Sequence, residues 1–309
     1  MNDSDLPTAF SRRQFLAGST ALAAGTLVAS AQTSSTTATR EVIPPSDYKI
    51  AKGNIHHSVM GWCFNPMPTE ELMDACNAMG MTVMEGIDSR YYPRLRELGM
   101  HPSLVGSHGF KDGPTSTANH ANCVTRLREG IDLAVEFGAP GVITFTGMRE
   151  VDLSDKQMTE NCIACWKEVI GYAEENNVNI CMEHLNSRDS THPMKGHPGY
   201  FGDDVDFCVE LIEQVDSPRM KLLFDVYHVQ IMNGDVLRRL RQYNDVIGHI
   251  HTAGVPGRGE LTEDQEVNYP AIMRELLRLN YQGYVAHEFI PTWDDKLGAL
   301  RHGVQVCDV

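Results

Sequence analysis

A (β/α)8 barrel is the fold class this sequence predicts, and three observations carry the prediction. From about residue 54 onward, short apolar runs alternate with helical segments, and the alternation occurs eight times. The runs are apolar at consecutive positions rather than at every second one, as in parallel strands buried on both faces. The 309 residues accommodate a barrel of roughly 250 residues and an N-terminal appendage.

The appendage comes first. Ser11-Arg12-Arg13-Gln14-Phe15-Leu16 precedes a weakly hydrophobic run over 17–28 and then Ala29-Ser30-Ala31. A basic n-region, an h-region and a small-residue cleavage site make an export signal over 1–31. The h-region is too short to span a bilayer stably, so no membrane span is expected in the mature chain. The Arg pair followed by Phe-Leu resembles the twin-arginine type. That resemblance implies export of the folded chain to the periplasm or cell envelope. Residues 32–50, rich in Thr and Ser and containing Pro44-Pro45, read as a linker, and 51–309 as one barrel domain.

Eight strands are expected at 57–63, 82–86, 102–106, 141–146, 179–184, 221–226, 248–252 and 283–288. Helical patterns lie between them, at 69–79, 122–136, 158–174, 203–214 and 270–279. Gly80, Gly99 and Gly138 each follow a helical segment as a C-terminal stop would. An open doubly wound sheet would place a Gly-rich phosphate loop after the first strand; here that strand runs into Gly61-Trp62-Cys63-Phe64.

Composition narrows the function. The formal net charge of −15 disfavours nucleic acid and anionic membranes as partners. The eight cysteines are scattered; Cys162 and Cys165 form a C-x-x-C inside a helical segment without a second pair to complete a zinc site, and read as buried thiols.

In such a barrel the reactive residues stand at the C-terminal ends of strands. The last four strands end in Glu183-His184-Leu185-Asn186, Asp225-Val226-Tyr227-His228, His249-Ile250-His251-Thr252 and His287-Glu288-Phe289. Glu183, Asp225, His251 and Glu288 are thereby delivered to one rim. Clustered carboxylates on apolar strands repel one another and lose hydration, and a divalent cation removes both problems. Three carboxylates and an imidazole suit Mg²⁺ or Mn²⁺, and also accept Co²⁺ or Zn²⁺. Of His249 and His251, one is expected to point into the barrel.

These segments, together with Ser58-Val59-Met60-Gly61-Trp62-Cys63-Phe64, Val255-Pro256-Gly257-Arg258-Gly259-Glu260 and Asn268-Tyr269, resemble the hydroxypyruvate isomerase family of the xylose isomerase-like TIM barrels. The resemblance covers nearly all of 54–309. It implies one bound divalent metal held by Glu183, Asp225, His251 and Glu288, with Glu183 and Glu288 also the acid–base pair. It implies substrate contacts from His228 and Arg258. Hydroxypyruvate isomerases often place Gln where His251 stands, and ketose epimerases often place His.

The reaction expected is hydroxypyruvate to tartronate semialdehyde through an enediolate, one Glu removing a proton and the other side returning it. Arg258 would hold the substrate carboxylate, Trp62 and Phe64 would wall the pocket, and His108 would reach it from the third strand. His192 and His197 fall in a Pro- and Gly-rich loop expected to be solvent-exposed, with a lid over the site as the alternative. The partner expected is a small hydroxy-oxo acid or sugar; self-association is left open. The rivals are a ketose 3-epimerase or other sugar isomerase on the same ligands, a metal-dependent endonuclease, and a non-catalytic envelope sugar-binding protein.

Overall fold

The computed structural model describes residues 47–309; the export signal and most of the expected linker lie outside the described residues. In chain order the elements are β1 (His56–Val59), α1 (Thr69–Met79), β2 (Val83–Met84), α2 (Tyr92–Glu97), β3 (His101–Pro102), α3 (His120–Phe137), β4 (Gly141–Phe145), α4 (Asp155–Glu175), β5 (Asn179–Glu183), α5 (Val205–Val215), β6 (Met220–Asp225), α6 (Val226–Met232), α7 (Val236–Tyr243), β7 (Ile247–Thr252), α8 (Tyr269–Arg278), β8 (Tyr284–His287) and α9 (Lys296–Cys307).

Every strand pairing is parallel. β4, β5, β6, β7, β8 and β1 form one continuous ladder, and β2 pairs with β3. Isolated parallel bridges, Met60 to Glu85 and Val105 to Val142, join the two sheets and close the cylinder. The fold is the predicted (β/α)8 barrel. Among the described residues, no helix is long and apolar enough to cross a membrane.

The strands differ from expectation on the β1–β3 side. β1 stops at Val59, not at residue 63, and a 3-10 turn follows over Gly61–Phe64. Gly61 N–H donates to Glu85 O at 2.8 Å and Trp62 N–H to Gly86 O at 3.1 Å, so the chain bends inward toward β2. A Cβ on Gly61 would lie 2.4 Å from Ile87 Cγ2, which explains a glycine at the bend. β2 and β3 keep two residues each because their ladders continue as single bridges.

Helix ends follow local chemistry. Asp204 caps α5 by accepting from Phe207 N–H at 3.0 Å, and Ser154 and Gln157 form a capping box at α4. Gly80 and Gly138 end α1 and α3 in the left-handed region. All eight cysteines are free and buried, Cys162 and Cys165 within α4 as expected.

A carboxylate ties the start of the described chain to its end. Asp308, just beyond α9, accepts from Tyr48 Oη at 2.7 Å and from the N–H groups of Ala51 (2.7 Å) and Gly53 (3.2 Å). Burial alone would raise its pKa, but these hydrogen bonds and one from Lys52 hold it below the usual carboxylate range. The clasp therefore stabilises the fold above the carboxyl's unfolded pKa and weakens as pH falls below it. Asp308→Ala is expected to cost about 2 kcal/mol and to lower Tm by roughly 6 °C at pH 7. The gap between wild type and variant, followed by thermal denaturation, should shrink below about pH 4.

Candidate active site

Four C-terminal strand ends bring charged groups to one mouth. Glu183 closes β5, Asp225 closes β6, His251 lies near the end of β7, and Glu288 follows β8. All four are buried, and each offers a ligand atom within 4.8 Å of the others'. His251 Nδ1 stands 2.6 Å from Glu288 Oε2 and 3.3 Å from Glu183 Oε1. Asp225 is held by the N-terminus of α6, accepting from Tyr227 N–H at 2.7 Å and, more weakly, from His228 N–H at 3.4 Å.

Burial and the neighbouring Glu288 push the Glu183 carboxyl upward, and the same two causes push Asp225 up to about 7. Burial opposes a charge on His251, yet Glu288, Glu183 and Glu85 hold its imidazole well above the ordinary histidine value. Glu183 Oε1 is buried with no hydrogen-bond partner. An orphaned carboxylate oxygen beside two more carboxylates and an imidazole is a donor set that fits a divalent cation.

Arg258 enters from the loop after β7. It adopts φ 56°, next to Gly257 at φ 93°, an uncommon conformation for a non-glycine residue that turns the chain sharply. Its guanidinium is buried 2.6 Å from Glu288 Oε2 and 3.5 Å from Asp225 Oδ2. It also lies over the rings of Trp62 (5.6 Å) and Tyr227 (5.4 Å).

His228 is buried beside Asp225. Asn186 N–H donates to its Nδ1 at 2.9 Å, which leaves the ring proton on Nε2, 3.5 Å from Asp225 Oδ2. Burial and the nearby Arg258 charge hold this imidazole neutral, well below the ordinary value.

Three placements correct the sequence reading. His249 and His251 both face the barrel interior: they are two residues apart, and the strand period of two puts them on one side. His108 does not line the cavity; its Nε2 bonds Thr144 Oγ1 at 2.8 Å instead. His197 is buried, not solvent-exposed, and lines the cavity against Phe110 (4.2 Å between ring centroids). The loop carrying His197 is fastened over the mouth by its backbone: Arg258 Nη1 donates to Met194 O at 2.6 Å, and Tyr227 Oη to Lys195 O at 2.8 Å.

Glu85, after β2, is the residue that sequence reasoning missed. It is buried, accepts from Ser103 Oγ (2.5 Å) and His251 Nε2 (2.7 Å), and has His249 Nε2 2.9 Å away. Burial would raise its pKa, but the two imidazoles hold the carboxyl well below the usual range. By engaging Nε2 of His251, it leaves Nδ1 facing Glu183 and Glu288.

The groups surround a cavity of about 210 Å³, lined on its polar side by Glu183, His197, Arg258 and Glu288, with Trp62 at its rim. The family described as xylose isomerase-like TIM barrel matches residues 73–307. The chain belongs to that family. Among curated proteins similar to this chain, a Danio rerio protein provisionally named hydroxypyruvate isomerase is 29% identical over 181 residues, which is 56% of this chain and 63% of that protein. A 2-oxo-tetronate isomerase of Cupriavidus necator is 34% identical over 134 residues, 42% of this chain and 48% of the relative. One of Pectobacterium atrosepticum is 25% identical over 240 residues, 74% of this chain and 88% of the relative. Among solved structures, the 3-keto-D-glucoside 4-epimerase of E. coli superposes with a TM-score of 0.68 at 17% identity, covering 81% of this chain and 98% of that one. An AP endonuclease, family 2, of Brucella melitensis gives 0.66 at 22%, covering 78% and 95%. At these identities the structural likenesses show the barrel.

Proposed function

We propose that the chain is a metal-dependent isomerase of short hydroxy-oxo acids, converting hydroxypyruvate to tartronate semialdehyde with Glu183 and Glu288 as its acid–base pair. One observation carries this reading. Two carboxylates from β5 and from beyond β8 meet across a cavity at the barrel mouth, beside a third carboxylate, an imidazole and an arginine. The names of the relatives support the same reaction class.

Glu183, Asp225, His251 and Glu288 would hold a divalent cation, Mg²⁺ or Mn²⁺ by donor type, and Co²⁺ or Zn²⁺ as alternatives. When bound, such an ion supplies positive charge against the negative charge that develops on neighbouring substrate oxygens. Arg258 binds the substrate carboxylate through its planar donors, and Trp62 walls the mouth. His228 Nε2 lies 3.5 Å from Asp225 Oδ2 and makes no hydrogen bond, so its N–H remains available to a substrate oxygen. One of the two glutamates accepts the proton from the hydroxyl-bearing carbon, and the other side returns a proton to the former carbonyl carbon. Incubation with hydroxypyruvate in D₂O and Mn²⁺ should give tartronate semialdehyde with deuterium on carbon. Absence of both product and exchange would reject the reading.

A ketose 3-epimerase is the second reading, favoured by histidine at position 251; a ketose panel assayed by product identity separates the two.

Glu85 has an expected role here through His251. A carboxylate on the far nitrogen of a metal-ligating histidine fixes the ring and raises its basicity. Glu85→Gln is expected to weaken Mn²⁺ binding by roughly 10- to 100-fold, measured by competition with a chelator. Unchanged affinity would reduce Glu85 to core packing.

We also propose export through the twin-arginine route, on the strength of Arg12-Arg13-Gln14-Phe15-Leu16. Replacing Arg12 and Arg13 together by Lys is expected to retain the protein in the cytoplasm on cell fractionation. Export at the parent level would remove the assignment.

A further inference from the structure

The cavity is chemically two-sided. Its polar groups, Glu183, His197, Arg258 and Glu288, come from β5 onward. The opposite wall is built by Ile87, Leu104, Ile143 and Phe145, with Phe110 at the mouth. The polar side chains near that wall are already spent. Ser103 donates to Glu85, and Ser107 donates to Ile143 O. Thr144 Oγ1 is bonded to His108 Nε2 at 2.8 Å and to Trp166 Nε1 at 3.1 Å. Glu85 reaches the lining but engages Ser103, His249 and His251. No side chain on that wall offers a free hydrogen-bonding group.

A substrate held by its carboxylate at Arg258 and by its reacting oxygens beside Glu183 and Glu288 directs the rest of its chain at this wall. A hydroxyl placed against that wall meets no free side-chain partner, and each such hydroxyl from which water is displaced costs about 1–3 kcal/mol.

We propose that the preferred substrate is a short 3-hydroxy-2-oxo acid whose hydroxyl-bearing carbon carries an alkyl tail, in place of the hydroxymethyl tail of a sugar-derived acid. The reaction stays the redox-neutral isomerisation R–CH(OH)–CO–COO⁻ to R–CO–CH(OH)–COO⁻. A C3–H bond breaks, a C2–H bond forms, and the hydroxyl proton passes from the oxygen on C3 to that on C2. This specificity rests on the isomerase reading above, with R an alkyl group rather than hydrogen or hydroxymethyl.

The test is an isosteric pair. 3-Hydroxy-2-oxopentanoate (ethyl tail) and 2-oxo-tetronate (hydroxymethyl tail) are compared by kcat/KM for C–H exchange in D₂O with the Mn²⁺-loaded chain. The ethyl acid is expected to be preferred by about tenfold or more. Equal rates, or preference for 2-oxo-tetronate, would overturn the proposal and leave the isomerase reading intact. Binding tests the wall without turnover. By calorimetry, 2,3-dihydroxypentanoate, which cannot enolise, is expected to bind about tenfold more tightly than 2,3,4-trihydroxybutanoate, and the reverse order overturns the proposal. Loss of exchange on every acid, with the binding preference kept, rejects the isomerase and so withdraws the alkyl acid as substrate. Loss of both rejects the two together.

Discussion

Changing Glu183 or Glu288 to Gln is expected to reduce hydroxypyruvate isomerisation by roughly 10³-fold, with the barrel still folded. Gln keeps the size and one oxygen of Glu but cannot accept a proton at neutral pH. The two positions are not equivalent in geometry. Glu288 Oε2 already faces His251 Nδ1 and Arg258 Nη2, both at 2.6 Å, whereas Glu183 Oε1 has only His251 Nδ1 nearby, at 3.3 Å, and makes no hydrogen bond. Glu183 is therefore the less tightly engaged of the two. Glu183→Gln should lower the rate of deuterium exchange by the same factor, while Glu288→Gln should also loosen Arg258, raising KM as kcat falls. Circular dichroism and Mn²⁺ content have to be matched to wild type before the rates are compared. Wild-type turnover by either loaded variant would remove that residue from the proton-transfer pair.

Sequence pattern revealed this architecture unevenly, for physical reasons. β4 to β8 were legible because they are buried on both faces and read as unbroken apolar runs between helices. β1 to β3 were drawn too long, because the contacts that bend the chain at Gly61 come from Glu85 and Gly86, which a local pattern does not contain. The short helices α6 and α7 escaped notice because α6 begins directly at Asp225, with no loop to mark the change from strand to helix. Glu183, Asp225, His251 and Glu288 were legible because each is a charged residue at the end of an apolar strand. Glu85 in Met84-Glu85-Gly86 carries that same signal at the end of the second strand. His249 shares the inward face of His251, because residues two apart on a strand point to the same side. His197 was beyond reach, since what buries it is a set of long-range hydrogen bonds from Tyr227 and Arg258 to the carbonyls of its loop.

Removing the divalent ion is expected to abolish exchange and to lower stability in a pH-dependent way. Glu183, Asp225 and Glu288 would then face one another in a buried site with His251 and Arg258 as their counter-charges. In the chelated protein, burial and the Glu288 carboxylate push Asp225 up to about 7, well above its unfolded range. The sign follows from proton counting. Between the unfolded and folded pKa values the folded chain binds more protons, so stability declines as pH rises through that window, about 4 to 7. A bound cation competes with those protons and is favoured as they leave, so its contribution grows over the same range. At a free Mn²⁺ concentration one hundred times its Kd, the gain is about 2.7 kcal/mol. Melting curves with and without chelator should therefore lie close together near pH 4.5 and separate by several degrees near pH 7.5. Readdition of Mn²⁺ should restore both Tm and exchange. Full exchange in chelated protein, or a chelator effect on Tm that does not change with pH, would mean that the four residues do not hold a cation as a set.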